Sequence, residues 1–372
     1  MKNININCPI NGTGYGITSL NITKALYASG INLSLFPIGN NIECNNAEDH
    51  DLIKKLLENN STFNYSAPCL KIWHQYDLAS RIGNGHYYTF PFFEIDKLTP
   101  REIHHLNYSD SIFSASSWGK TVLQNNGVTK PIYVAPLGVD MSIFNIPENK
   151  ILIEHDKYRF FHIGKWEHRK SQDILLKAFD SAFDINDNVE LYLLPFNPFL
   201  NEAENNYWFN LVENCKLKDK IKIFGRLQTQ YQVAEFINLC DCGVFVSRAE
   251  GWNNEILESM ALNKPVIVTN YSAHTEYCTK DNSYLIDIDD TEPANDGKWF
   301  NGFGKWAKIG DKQIEQIIHY MKYVYSNRID SNPNGVLTAK KYSWDNTSNV
   351  IQSTLLKNNS YYANTKAKTK RR

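Results

Sequence analysis

Two glutamates eight positions apart, Glu250 and Glu258, are the residues whose types and spacing most directly suggest chemistry. Glu250 follows a strand-like run, Gly243–Ser247, and Glu258 lies about one turn inside a predicted helix, Asn254–Leu262. With a rise of about 1.5 Å per helical residue, the two carboxylates should lie within about 15 Å along one wall. Such a pair could hold the two ends of a nucleotide sugar, one at the hexose hydroxyls and the other at the ribose diol.

The start of the same helix carries three further polar residues, Asn253, Asn254 and Glu255. Asn253 or Asn254 is predicted to cap the helix, which would leave its first amides available to a sugar or a phosphate. Glu255 has a simpler interpretation as a first-turn residue that complements the helix dipole.

A basic turn, Gly164–Ser171, connects the predicted strand Arg159–Ile163 to the predicted helix Ser171–Phe183. Backbone amides and the helix dipole favour an anion at such a junction. Lys165 and Lys170 could clamp a diphosphate from two sides and neutralise it as it departs. The alternative is a solvated basic loop with no ligand.

A glycine loop lies between the first predicted strand, Ile4–Ile10, and the first predicted helix. Gly14 and Gly16 would let backbone amides approach a phosphate or a sugar at the helix N-terminus. The loop lacks the third glycine of the dinucleotide-binding fingerprint, and no acidic residue ends the second predicted strand, Ile31–Ile38. A purely structural turn is the alternative.

The elements that position these residues are strands and helices that alternate almost from end to end. This alternation predicts right-handed crossovers and a parallel, doubly wound sheet. The polar segment Asn145–Lys157 contains Pro147 and is the predicted linker between two α/β halves. The Gly-, Asp-, Asn- and Trp-rich segment Asp290–Ile309 is predicted to be an irregular surface excursion. Its aromatic residues could stack on a sugar or a base, or pack against the core: Trp299, Phe300, Phe303 and Trp306.

The spacing Glu250-(seven residues)-Glu258, with Gly251 and an aromatic residue after the first glutamate, resembles the E-x7-E motif of retaining glycosyltransferases of the GT-B fold, family 4. Four further segments resemble that family in the same order along the chain. They are the glycine loop Gly14–Gly16, the segment Pro136–Asp140, the basic turn with Gly164, Lys165 and Lys170, and the start of a terminal helix at Tyr342–Trp344.

The resemblance implies an α/β GT-B architecture, with two doubly wound Rossmann-like domains that face each other across a cleft. Residues 1–145 would form an acceptor-binding domain, and residues 158–340 a domain that binds the nucleotide sugar. Residues 341–358 would form a helix that crosses back to the N-terminal domain. Residues 359–372 would be a basic, disordered tail.

The resemblance also implies roles for individual residues. Lys165 and Lys170 would bind the donor diphosphate, Glu258 the nucleotide ribose, and Glu250 the donor sugar. Backbone amides at 253–255 would help to orient that sugar. The chain departs from the family pattern at two of these places. Lys165 replaces an arginine and offers a point charge instead of a bidentate contact. Asn253-Asn254-Glu255 replaces Gly-Leu-Pro, which leaves the identity of the donor open.

No histidine matches the one that this family often places beside the transferred sugar. His74, at the end of the predicted strand Leu70–His74, and Glu94, after Tyr87–Phe93, are the candidates for that place. Ligands bind at the carboxyl ends of strands in open α/β sheets, which favours both residues. A buried structural histidine and a solvent-facing loop glutamate are the alternatives.

The function implied is transfer of a hexose from a UDP- or GDP-linked sugar to an acceptor hydroxyl, with retention at the anomeric carbon. A surface polysaccharide or a lipid-linked glycan is the expected acceptor. Glycosylation of a modified base in DNA is an alternative, although the near-zero net charge disfavours a nucleic-acid acceptor. A GT-B epimerase or phosphorylase, or a non-catalytic sugar-binding protein, would also be compatible with the resemblance.

No cofactor and no metal are expected, because lysines and helix amides can stabilise the leaving diphosphate. The sequence Asp287-Ile288-Asp289 could hold a divalent cation, but its position after the donor motifs favours a turn at the end of a strand. Seven cysteines without a C-x-x-C pair disfavour a zinc site and a disulfide framework.

The composition places limits on the remaining classes. The chain has 372 residues, 39 basic and 40 acidic, and 13% aromatic residues, which disfavours a disordered polyelectrolyte. Its longest apolar runs are far shorter than the roughly 20 residues of a membrane-spanning helix. A cytoplasmic location is expected. The basic end, residues 366–372, is a solvated terminus or a peripheral contact with an anionic membrane or nucleic acid.

Overall fold

A computed structural model describes residues 2–145 and 156–355 of the chain. The predicted linker, Asn145–Lys157, lies mostly outside these residues, as does the predicted tail at 359–372. The described chain divides into two compact units. The first contains residues 2–93, 98–140 and 342–355, and the second contains residues 94–97, 141–145 and 156–341.

The first unit is a sheet of parallel strands with helices packed against it. Among its described residues the strand order is β2-β1-β3-β4-β5-β6. Its elements are β1 (Asn3–Ile10), α1 (Gly14–Ala28), β2 (Asn32–Ile42), α2 (Ala47–Glu58), β3 (Cys69–Lys71), β4 (Tyr87–Thr89), α3 (Pro100–Tyr108), β5 (Ser111–Ser114), α4 (Ser117–Asn125), β6 (Ile132–Val134) and a terminal helix at 344–355.

The second unit repeats this plan. Its described strands pair in the order β12-β11-β10-β7-β8-β9, all parallel. Its elements are β7 (Tyr158–Ile163), α5 (Gln172–Ala182), β8 (Val189–Leu194), α6 (Glu202–Glu213), β9 (Ile221–Ile223), α7 (Gln230–Asn238), β10 (Cys242–Phe245), α8 (Asn254–Ala261), β11 (Val266–Thr269), β12 (Tyr284–Ile286), β13 (Thr291–Asn295), β14 (Asn301–Ala307), α9 (Asp311–Ser326) and α10 (Pro333–Lys341).

The central strands are apolar and buried, as is typical of parallel sheets that helices cover on both faces. Every residue of β10 and of β11 is buried. The core of the second unit joins such strands to the inner faces of α5 and α9, for example at Val244, Leu175 and Ile317. The prediction of two doubly wound, Rossmann-like parallel sheets is therefore confirmed.

The terminal helix belongs to the first unit, as the fold prediction requires. Val139 forms a parallel bridge with Ser343, and Thr347 donates a hydrogen bond to the carbonyl of Pro136 at 2.6 Å. A Cβ on Gly138 would lie 2.2 Å from the backbone of Ser343, so only glycine permits this close approach. Crossing of the chain back to the first sheet thus depends on a glycine.

The segment Asp290–Ile309 differs from the irregular excursion predicted from its composition. It forms an antiparallel hairpin, β13–β14, in which Glu292 lies opposite Trp306. Trp306 is buried and packs with Ile95 and Ala249, whereas Trp299 at the hairpin turn is 58% exposed. The aromatic residues therefore divide between packing and exposure.

Within residues 2–145 and 156–355, no helix is both long and apolar enough to cross a bilayer.

Candidate functional site

The loop between β10 and α8 places Glu250 at the carboxyl edge of the second sheet. Glu250 is 5% exposed, and its backbone N–H donates to the Ser272 hydroxyl at 2.9 Å. Strand β7 pairs directly with β10, so the basic turn that follows β7 lies at the same edge. Carboxyl edges of parallel strands are where open α/β sheets bind ligands.

Two cations hold the Glu250 carboxylate. The Lys170 Nζ lies 2.8 Å from its Oε1, and the Arg169 Nη1 lies 2.7 Å from its Oε2. Burial alone would raise the pKa of Glu250, but the charges of Arg169 and Lys170 outweigh it and hold that pKa well below the usual range. Glu250 is therefore ionised at every physiological pH.

The ion pairs continue outward along the basic turn. The second nitrogen of the Arg169 fork, Nη2, lies 2.7 Å from Glu167, whose other oxygen lies 3.2 Å from the Lys165 Nζ. Arg169 also donates to the carbonyl of Ala249 at 2.8 Å. The Lys165 side chain remains 39% exposed, unlike the buried Arg169. The turn therefore presents one accessible cation at its rim and two cations at the buried carboxylate.

The backbone of the basic turn is built around Gly164 and Gln172. Gly164 has a φ of +157°, and a Cβ there would lie 3.2 Å from the Lys170 Cδ. Gln172 donates to the carbonyls of Gly164 and Lys165 at 3.0 and 2.7 Å. The glycine thus gives the Lys170 side chain room to run past the strand end towards Glu250.

Glu258 lies inside α8 in a different environment. It is buried, and the nearest hydrogen-bond donor in the described structure is the Gln230 amide, at 3.5 Å. Burial, with a smaller effect of the Glu255 charge, raises the pKa of Glu258 to about 8. Near neutral pH this carboxyl is therefore mostly protonated in the free protein.

The residue at the N-cap of α8 is Asn253, but its side chain makes no capping hydrogen bond. It has a φ of +79°, and its amide nitrogen lies 3.2 Å from the Nε2 of His274. Burial lowers the pKa of His274 to about 4, and its Nδ1 bonds the carbonyl of Thr269. The predicted cap is thus replaced by a contact with a neutral histidine.

The first amides of α8 therefore lack a side-chain cap from Asn253, and their binding to a ligand stays a prediction. The side-chain oxygens of Asn253 and Asn254 are buried and have no hydrogen-bond partner among the described residues. Buried oxygens without partners are costly unless a ligand or water satisfies them. Both oxygens are suited to accept hydrogen bonds from hydroxyl groups.

Glu94 lies in the short segment Glu94–Lys97, which belongs to the second unit although the chain around it belongs to the first. Its carbonyl accepts a hydrogen bond from the Trp306 indole at 3.0 Å. Burial raises the pKa of the Glu94 carboxyl, the Arg169 charge opposes that shift, and the Glu250 charge adds to it. The charges of the basic turn and of Glu250 therefore influence the Glu94 carboxyl, while its backbone is fixed by Trp306.

Three predicted residues lie in the first unit instead. Gly14 and Gly16 are in the first turn of α1, and a Cβ on Gly16 would lie 2.2 Å from the Asn11 carbonyl oxygen. His74 stacks on Tyr76 at 5.1 Å and contacts Tyr15 at 4.6 Å. Gly16 therefore has a packing role, and binding by these three residues stays a prediction.

The charged group includes residues that sequence analysis did not single out. Arg169 forms ion pairs with both Glu250 and Glu167. His274, in a segment with no recognisable motif, contacts the side-chain amide of Asn253. The buried Arg248 bonds the hydroxyl of Ser171 at 2.8 Å and the carboxylate of Glu292 at 2.9 Å. A signal for Arg169 was present, since it lies inside the basic turn beside Lys170.

Acidic residues elsewhere in the described part of the chain are paired or dispersed. Among the described residues, no group of three or more His, Cys, Asp and Glu side chains is placed to hold a metal ion. In the Asp287-Ile288-Asp289 sequence, Asp289 forms an ion pair with Lys312, and the Asp287 backbone N–H donates to Gln316 at 2.9 Å.

Comparison with known proteins gives matches in sequence and in structure. Residues 145–297 match the family described as glycosyl transferases group 1. Two glycosyltransferases of Methanocaldococcus jannaschii are 26% and 28% identical to the chain over 114 and 165 residues. These alignments cover 31% and 43% of this chain, which in turn spans 26% and 40% of the length of those relatives.

Solved structures match over nearly the whole chain. Sucrose-phosphate synthase from Thermosynechococcus elongatus superposes with a TM-score of 0.72 at 13% identity, covering 98% of this chain and all of its own. Anabaena HepE in complex with UDP and glucose gives 0.71 at 14% identity, covering 96% of this chain and all of its own. The chain therefore has the GT-B fold, and its residues 145–297 carry a domain of the glycosyl transferases group 1 type.

Proposed function

We propose that this protein is a retaining glycosyltransferase of family 4 that transfers a hexose from a nucleoside diphosphate sugar to an acceptor hydroxyl. The observation that carries the proposal is the buried, ionised Glu250, which two cations hold eight residues before a second buried carboxyl, Glu258. The similarity to HepE, whose structures contain UDP and UDP-glucose, supports a nucleotide sugar as donor.

The basic turn supplies charge for the donor diphosphate. Lys170 forms an ion pair with Glu250 in the free protein, so the arriving diphosphate shares or takes this cation. Arg169 stays on Glu250, because Glu167 and the Ala249 carbonyl fix its other donors. The carboxylate thus keeps its charge and its orientation while Lys170 and the more exposed Lys165 bind phosphate oxygens.

Glu250 acts by orientation and not as a covalent nucleophile. Two cations draw on its oxygens and hold its pKa low, which makes it a weak base and a weak nucleophile. It accepts hydrogen bonds from hexose hydroxyls, together with the partnerless oxygens of Asn253 and Asn254. Negative charge that develops on the leaving diphosphate is stabilised by Lys170, Lys165 and the first amides of α8, including that of Glu255, without a metal or a cofactor.

Glu258 binds the ribose diol, and Glu94 takes the place beside the transferred sugar. Glu94 already lies in the electrostatic field of Arg169 and Glu250. In the first unit, His74 is proposed to contact a sugar, and Gly14 and Gly16 are proposed to bind a phosphate or a sugar at the start of α1. The acceptor is a surface polysaccharide or a lipid-linked glycan.

The test is a thermal-shift and donor-hydrolysis panel of UDP-glucose, UDP-galactose, UDP-N-acetylglucosamine and GDP-mannose, each measured once with added Mg²⁺ and once in EDTA. A donor at 100 times its Kd stabilises by about 2.7 kcal/mol, which should raise Tm by roughly 5–10 °C. Glu258→Ala should lose this shift. Glu235→Ala, which removes an exposed glutamate of α7, should keep it. No shift with any donor would refute the proposal, and a shift that EDTA abolishes would refute metal independence.

A further inference from the structure

An exposed pair of aromatic rings lies beside the basic turn of the second unit. Phe199, after β8, is 50% exposed, and Trp299, at the turn of the β13–β14 hairpin, is 58% exposed. Their ring centroids lie 6.0 Å apart and their planes meet at 79°. We call this pair the aromatic platform. Large aromatic rings exposed together in this way mark binding surfaces more often than isolated exposed residues do.

The backbone beneath Trp299 is firmly fixed. One carboxylate oxygen of Asp296 accepts the backbone N–H groups of Lys298, Trp299 and Phe300 at 2.9, 2.8 and 2.9 Å. Phe300 in turn packs edge-on against the buried Trp306, with centroids 4.8 Å apart. The backbone that carries the exposed indole is therefore held in place before any ligand arrives, which reduces the entropy cost of binding.

The second ring is tied both to the hairpin and to the basic turn. The Lys298 Nζ donates to the Phe199 carbonyl at 2.7 Å. Asn197 accepts the Phe199 N–H at 3.0 Å and donates to the carbonyl of Trp166 at 2.8 Å. The Lys165 Nζ lies 5.2 Å from the Phe199 ring centroid. The platform is therefore continuous with the turn that is proposed to bind the donor diphosphate.

Among the described residues, the platform has no excess of positive charge. Lys298 bonds both oxygens of Glu204, at 2.8 and 2.9 Å, and Lys165 is paired with Glu167 at 3.2 Å. A surface for anionic lipid or nucleic acid would need positive charge in excess, which these pairs do not leave. The flat C–H face of a neutral pyranose ring matches an apolar ring face with polar groups at its edge.

We propose that the aromatic platform is a saccharide subsite, in which the exposed Trp299 indole stacks on a pyranose ring of a neutral acceptor glycan and Phe199, nearly perpendicular to the indole, packs against the edge of that sugar. The inference rests on the proposed function, because it takes the adjacent basic turn as the donor site. The subsite lies in the second unit. It binds a sugar of the acceptor chain that is distant from the sugar with the reacting hydroxyl. It sets affinity for the acceptor and leaves donor binding unchanged.

The experiment is calorimetric titration of the full chain with neutral hexasaccharides of glucose, mannose, galactose and N-acetylglucosamine in α and β linkage. At least one should bind saturably. Trp299→Ala should weaken that binding at least tenfold, and Trp299→Phe should restore most of it. Tyr323→Ala, which removes a comparably exposed ring on α9, should bind like the wild type. The UDP-sugar thermal shift should be the same in all four proteins.

Three results would overturn the platform. The first is a wild-type protein whose Tm rises with a donor but which binds no hexasaccharide. The second is a Trp299→Ala protein that binds hexasaccharide as tightly as the wild type. The third is binding to phosphatidylcholine vesicles with 30% phosphatidylglycerol that depends on Trp299, which would assign the rings to a lipid surface. A different result is a wild-type protein that binds hexasaccharide through Trp299 and shows no change in Tm with any donor. That result would support the saccharide subsite and refute the proposed transferase activity.

Discussion

Replacement of Glu258 by glutamine should change how the stability of the protein depends on pH. In the folded chain, burial and the nearby Glu255 raise the pKa of the Glu258 carboxyl from 4.5 to about 8. Between these two values the folded state holds a proton that the unfolded state has lost, so stability falls as pH rises. Glutamine has nearly the same shape and no charge, and therefore removes this dependence.

The size of the effect follows from the two pKa values. Each pH unit within the window costs the folded state at most about 1.4 kcal/mol. From pH 5 to pH 8 the free energy of unfolding of the wild type should fall by about 3–4 kcal/mol relative to that of Glu258→Gln. Above pH 8 both states are ionised, and the difference should level off.

The assay is urea unfolding of both proteins at pH 5, 6, 7, 8 and 9. Glu235→Gln is the matched control, since Glu235 is an exposed residue of α7, the helix that also carries Gln230. Its free energy of unfolding should change with pH in the same way as that of the wild type. If the free energies of unfolding of Glu258→Gln and the wild type also change with pH in the same way, the Glu258 carboxyl is not protonated in the folded protein. The argument from burial would then be wrong.

Three further changes test the packing and charges described above. Arg169→Met should cost about 3–5 kcal/mol in urea unfolding, because Glu250 then retains a buried charge with one cation; a loss under about 1 kcal/mol would contradict the ion pair. Gly16→Ala should lower Tm, because its methyl would lie 2.2 Å from a backbone oxygen, whereas Gly14→Ala meets nothing within 4 Å; equal Tm values would exclude that clash. Trp306→Ala should cost about 3–5 kcal/mol by chemical denaturation, and an unchanged midpoint would show that the indole is not a core residue.

The two sheets could be predicted because their strands carry their own signal. Strands covered on both faces are short apolar runs, as at Val266–Thr269, and each is followed by a helical pattern. The same order of elements placed Glu250 and the basic turn at strand ends. Their direct contact was not predictable in detail, because 80 residues separate Lys170 from Glu250 and only the pairing of β10 with β7 brings them together.

The sequence does not predict which of the charged residues are buried. Arg169 and Lys165 look alike in a basic run, yet one is enclosed between two carboxylates and the other extends to the rim. The β13–β14 hairpin was missed for a related reason. Its strands have few β-branched residues, and contacts from a distant segment hold them, such as the Lys305 N–H to Asp96 at 2.7 Å. Local patterns carry no information on such contacts.

The return of the terminal helix to the first sheet has a consequence for synthesis of the protein. Ile351 and Leu355 are buried in a unit that otherwise ends at residue 140. The ribosome makes roughly two hundred residues between position 140 and the terminal helix. During that time the first unit lacks the apolar contacts of Ile351 and Leu355, and the second unit emerges before the first is complete. The helix at 344–355 therefore completes the first unit only after the second unit has been made, and loss of this helix would destabilise the N-terminal half of the molecule.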